Sequence, residues 1–176
     1  VHQAWWWRRQ HSIHEKAKRF VPSNLGFTMV RHPPSTNSAA YRILGNDITT
    51  EISFQLPGTR IEHIRAGSHT ICGLTTVTPI DETHSEVNHM IYWTIPWLTL
   101  FKPLVRYFAS AFLNQDRKIM IKQQQGLKFE PALSLIDGAD TQAKWYYRLK
   151  REWFKAEGEG RLFKNLLQET VLRWRS

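Results

Sequence analysis

Cysteine is almost missing: Cys72 is the only one in 176 residues. One thiol cannot close an internal disulfide, which points to a reducing compartment. It also excludes a [2Fe–2S] cluster or a cysteine-rich zinc site held within this chain. Cys72 lies between Ile71 and Gly73 in an apolar run, where a small half-apolar side chain is more at home than a reactive thiol. Uninterrupted apolar stretches are also lacking. The most apolar one, 91–104, is broken by Pro96, Lys102 and Pro103, too short and too interrupted to span a bilayer. No block of five or six basic residues occurs, and no RNP motif, Cys/His finger or basic zipper is present. Nucleic-acid binding is therefore not expected, despite a formal charge of +9. Walker, dinucleotide and nucleophile-elbow signatures are absent as well. The first ten residues do not have the build of a signal peptide, and with no initiator Met the chain reads as a fragment or processed product.

What is abundant is aromatic and apolar. Hydrophobic residues make up 41% of the chain, enough for one folded domain over 1–176, and the 8 Trp suit a core, an apolar ligand pocket or an interface. Residues 1–22 show no clean period and read as a loop or short irregular helix. The 33–38 stretch, Pro-Pro-Ser-Thr-Asn-Ser, reads as a surface loop. From 48 the period becomes two. Ile48, Ile52, Phe54 and Leu56 mark one strand, with a turn at Pro57-Gly58. Strands at 60–65, 69–79 and 86–94 follow, separated by Ala66-Gly67-Ser68 and by the polar Asp81–His84 turn. In 86–94, Val87, His89, Ile91 and Trp93 alternate with Asn88, Met90 and Tyr92. Short turns between successive strands imply an antiparallel meander.

After Pro96 the period becomes helical. Leu104, Tyr107, Phe108, Ala111, Phe112, Ile119 and Met120 predict a helix over 103–125 stopped by Gly126. A second helix is predicted over 139–156, with Trp145, Tyr146, Leu149 and Trp153 on one side. Residues 158–176 read as a polar, basic C-terminal arm. The fold class is thus α+β: a curved antiparallel sheet with a long C-terminal helix packed across it, enclosing a cavity suited to a bulky apolar ligand.

One residue stands out chemically. Asp116 has Phe112, Leu113, Ile119 and Met120 as its helix-face neighbours. A carboxylate centred on an apolar stripe needs a partner if buried. Spacing leaves two readings open: an ion pair with Arg117 or another basic residue, or a metal-binding or catalytic role. Trp93, Phe108 and Phe112 are candidate walls for a flat substrate, and core packing serves equally as their role. His11 and His14, three apart, could share a helical face. His63, His69 and His89 fall in strands, and His32 and His84 in loops, where a sheet-surface or pocket-wall role is expected. Glu62 and the adjacent His63 point to opposite faces of a strand and form no pair. Trp5, Trp6 and Trp7 suit packing or an interface.

The stretch Phe-Leu-Asn-Gln-Asp-Arg-Lys-Ile-Met-Ile-Lys-Gln-Gln-Gln-Gly-Leu (112–127), followed by Asp-Gly-Ala-Asp (137–140) and Trp-Tyr-Tyr-Arg-Leu-Lys-Arg-Glu-Trp (145–153), resembles the C-terminal helices of Rieske-type mononuclear non-haem iron oxygenases. The similarity is to aromatic ring-hydroxylating α-subunits and to pheophorbide a oxygenase-like and vanillate demethylase-like members. The resemblance implies a helix-grip (START-like) catalytic domain severed from an N-terminal Rieske domain. It implies Asp116 as the carboxylate of a two-histidine, one-carboxylate Fe(II) site, His2 as the second histidine and the first histidine upstream of Val1. His11 and His14 are alternatives that depart from the family spacing. It further implies O2-dependent oxidation or demethylation of an aromatic or chlorophyll-like substrate. Electrons would come from a ferredoxin or reductase through a [2Fe–2S] cluster outside this chain, so that the fragment alone would be inactive. A homotrimer, and a cytoplasmic or plastid stromal or membrane-associated location, follow from the same likeness. The alternative function is a non-enzymatic START-like module for hydrophobic ligands.

Overall fold

A computed structural model describes residues 15–34, 44, 47–130 and 135–175. Six strands follow one another: β1 (Glu15–Ser23), β2 (Gly26–His32), β3 (Ile48–Gln55), β4 (Thr59–Ala66), β5 (His69–Pro79) and β6 (Ser85–Trp93). A 3₁₀ turn (Pro96–Phe101) leads into α1 (Lys102–Leu127), then α2 (Thr141–Gly158) and a last strand, β7 (Thr170–Arg175). All seven strands form one antiparallel sheet in the order β6-β5-β4-β3-β2-β1-β7. The chain is α+β, with the expected meander from β3 to β6 and with its turns where Pro57-Gly58, Ala66–Ser68 and Asp81–His84 predict them.

Three expectations are corrected. The basic N-terminal region is not a loop or irregular helix where it is described. Residues 15–23 and 26–32 form a hairpin in which Lys16 and Lys18 alternate with the more exposed Ala17 and Arg19 until Phe20 enters the core. The C-terminal arm is not free either. Leu167 and Leu172 are buried and β7 closes the sheet against β1, with Arg19–Glu169 and Arg173–Glu15 ion pairs at the seam. The helix that packs across the sheet is α2, the shorter one. Longer α1 buries no residue, and its main packing partner among the described residues is the 3₁₀ turn before it.

The core explains the choice of helix. Leu149 is fully buried among Phe20, Phe27, Leu56, Leu167 and Leu172, with Trp145 and Tyr146 set edge-on to the Phe20, Phe27 and Phe54 rings. Apolar residues at 145, 146 and 149 fall on one side of a helix, and the β1–β3 rings face them. Gly138, in the turn that leads into α2, lies close to the sheet. Its φ is +83°, and a side chain there would stand 2.5 Å from the Arg173 carbonyl oxygen, so glycine meets both demands. Asn165 pins the β1–β2 turn by donating to the Ser23 and Gly26 carbonyls. Among the described residues no helix is long and apolar enough to cross a membrane.

Candidate functional site

Strand pairing sorts side chains into rows on the face that α2 covers, because directly opposed residues share a face. One row runs Phe27, Phe54, Arg60, Thr75, His89 from β2 to β6; the next runs Met29, Ile52, Glu62, Gly73, Ile91; a third runs His32, Thr50, Ile64, Ile71, Trp93. Aromatic at the α2 end, this face becomes polar in the middle of the sheet. Phe27, Ile52, Phe54 and Arg60, with Gln142 and Tyr146 from α2, line a cleft of about 280 Å³. That is near the lower end of volumes that take small organic ligands.

Around Arg60 lie two hydrogen-bonded polar sets, Arg60–Glu62–Thr50 and Thr75–His89. The Arg60 guanidinium donates to Glu62 Oε2 at 2.9 Å, and Thr50 Oγ1 lies 3.5 Å from Glu62 Oε1. Thr75 Oγ1 and His89 Nδ1 are 2.8 Å apart. Gly73 leaves the space between Glu62 and His89 open: a Cβ there would sit 3.6 Å from His89 Cε1 and 3.9 Å from Glu62 Cβ. The missing side chain thus exposes the backbone between an acceptor and an imidazole, a place where a ligand can approach closely.

Partial burial holds His89 below its ordinary pKa of 6.5; Arg60 pushes the same way, and Glu62 opposes. His32 is lowered too, by burial first. For a base with a depressed folded pKa, the unfolded chain binds more protons in the window below 6.5. The stabilising contribution is therefore complete above 6.5 and is lost as pH falls through the folded value. Replacing His89 by Gln is expected to reduce the drop in melting temperature between pH 8 and pH 5.5, leaving the part due to His32. An unchanged drop would show that His89 does not contribute.

The structure separates the residues singled out by sequence. His89 and Trp93 lie on the α2-facing side of β6, as their alternation predicts, and Trp93 Nε1 donates to Thr99 Oγ1 at 3.2 Å. His63 lies on the opposite face from Glu62. His84 caps a surface turn with Asp81, whose carboxyl is pulled to about 2, chiefly by the backbone N–H of Thr83 and the His84 side chain. Cys72 is half-buried on the face away from α2, opposite His63 and Tyr92. Phe108, Phe112 and Asp116 lie on α1, away from the cleft lining. Asp116 is exposed, so the expectation of a carboxylate buried on an apolar stripe is corrected, and its desolvation argument lapses: Ile119 and Met120 beside it are exposed as well. Asp116 is nonetheless engaged. It, Phe108, Phe112 and Gln115 each have an interaction partner, and their spacing of 4, 7 and 8 places them on one helical stripe. His2, His11, His14 and Trp5–Trp7 lie outside the described residues.

Sequence reasoning missed the Arg60–Glu62–His89 group. The available signal was i,i+2 spacing of opposite charges in a strand, together with a lone glycine in the next strand. Among the described residues no three His, Cys, Asp or Glu side chains come together as a metal site. No protein-family model, curated protein or solved structure matches the chain.

Proposed function

We propose that the chain is the catalytic domain of a Rieske-type non-haem iron oxygenase with a helix-grip arrangement, α2 being the helix laid across the sheet. The observation that carries the reading is the sequence around Asp116, 112–127, which resembles the family's ligand helix and forms a helix here. The described residues supply one of the three Fe(II) ligands, this carboxylate; His2 and a histidine upstream of it are the proposed others. Bound there, Fe(II) would supply activation of O2 at the positions its three protein ligands leave open. Asp116 would offset part of the ion's charge. Phe112 and Phe108, one and two turns before Asp116 on α1, would hold the substrate's ring.

Anaerobic Fe(II) titration of the protein, extended upstream to include the expected first histidine, tests this. One ion per chain is expected, with affinity reduced at least about a hundredfold by Asp116→Asn, since removal of even an outer partner of a metal ligand costs ten- to a hundredfold. Equal affinity in the two proteins would remove the iron reading. The second reading, a non-enzymatic carrier of a small hydrophobic ligand, is favoured by the aromatic-lined cleft, which needs no metal. Under that reading ligand binding would be lost on filling the cleft and unaffected by Asp116→Asn.

A further inference from the structure

The end of β6, the 3₁₀ turn and the start of α1 present an unusual surface. Trp97, Leu100, Phe101, Leu104 and Tyr107 are all exposed, Leu100 by 82% and Tyr107 by 64%. Trp97 and Phe101 touch edge to face with ring centroids 6.1 Å apart, so this tip is already one cluster. Scattered exposed apolar residues need no explanation, but five large ones in eleven residues do.

Charge decides what fits there. Between Glu86 and Asp116 the chain has no acidic residue, while Lys102 and Arg106 lie within the apolar tip. Along α1, Leu104 and Tyr107 are followed on the same row by Lys118 and Lys122, at offsets of 3, 14 and 18 from Leu104. Both lysines are exposed. The row is thus apolar at the start of the helix and cationic about 21 Å further along. A second copy of this chain, formally +9, would bring the same cations against themselves in an isologous contact. An anionic lipid surface matches both parts: Trp, Tyr and Leu suit the headgroup boundary, and lysines further along the row meet the headgroups. α1 does not qualify as a membrane-spanning helix, so the contact lies in the plane of the surface.

We propose that the Trp97–Tyr107 tip, together with Lys118 and Lys122, docks this domain onto an anionic membrane surface. The inference does not depend on the oxygenase reading. Its test is co-sedimentation of the chain with vesicles of phosphatidylcholine alone and of phosphatidylcholine with phosphatidylglycerol. Binding is expected to need the anionic lipid and to weaken as salt is raised. Lys118→Glu with Lys122→Glu is expected to weaken it at least about tenfold, and Leu100→Glu with Leu104→Glu to weaken it as much. Arg148→Glu with Arg151→Glu, a charge-matched change on α2, is expected to leave it within about twofold. Three results would each overturn the proposal. The first is no binding to anionic vesicles. The second is an equal loss in the α2 pair, which would mean diffuse charge attraction. The third is a Leu100/Leu104 variant that binds vesicles normally while dissolving a dimer seen by light scattering, which would assign the tip to a second copy.

Discussion

Leu149→Ala is expected to lower stability by about 3–4 kcal/mol, a drop in melting temperature of roughly 10 °C for a chain of this size. Leu149 is fully buried and touches side chains from both halves of the chain: Phe20 and Phe27 from the N-terminal hairpin, Leu167 and Leu172 from the C-terminal segment. Truncation removes the methyl groups that fill the centre of that cluster. The lining cannot collapse into the gap, because Phe20 and Phe27 are held on paired strands and Trp145 lies edge-on to both. Urea denaturation measures the loss. Leu104→Ala on exposed α1 is the contrast and should cost only a few tenths of a kcal/mol. A Leu149→Ala loss under about 1 kcal/mol would mean that α2 is not the helix that holds the sheet.

Gly26→Ala is expected to cost about 3 kcal/mol or more, for a different reason. A methyl group at Gly26 would overlap the Phe54 carbonyl oxygen and stand 3.0 Å from Gln55 Cα. Both obstacles are backbone atoms of the neighbouring strand, so no side-chain rotation relieves them and the β2–β3 pair has to part. Phe27 and Phe54, the next pair along and the floor of the cleft, would shift with it. Gly126→Ala is the control: nothing lies within 4 Å of that position in α1, and alanine there should stabilise by about 0.5–1 kcal/mol through helix propensity. Equal behaviour of the two variants in thermal melts would refute the close approach at Gly26.

The parts of the fold that were legible share one property. From β3 to β6 each strand pairs with its sequence neighbour and carries a period-two pattern between turn residues, so local information suffices. The placement of His89 and Trp93 on one face follows from that pattern alone. β1 and β7 lack it. The β1–β7 pairing joins residues about 150 apart, through Arg19–Glu169 and Arg173–Glu15. A strand such as β7, whose partner lies at the other end of the chain, reads locally as a basic arm.

The two helices invert the expectation for a similar reason. Periodicity assigns each an apolar side, and α1 is longer and carries more apolar residues. Yet burial depends on what stands opposite, and the Phe20, Phe27 and Phe54 rings stand opposite α2.

The amino-acid order by itself determined the class of the molecule, the meander, the extent of both helices to within two residues or so, and which residues of β6 share a face, because each depends on dihedral preference and side-chain period over a dozen residues. Only the tertiary structure decided which helix covers the sheet, that both ends of the described chain meet as neighbouring strands, and that Arg60, Glu62 and His89 gather around a gap at Gly73. Those outcomes are set by contacts between distant segments, whose energies depend on mutual fit and on which surfaces are left over for water.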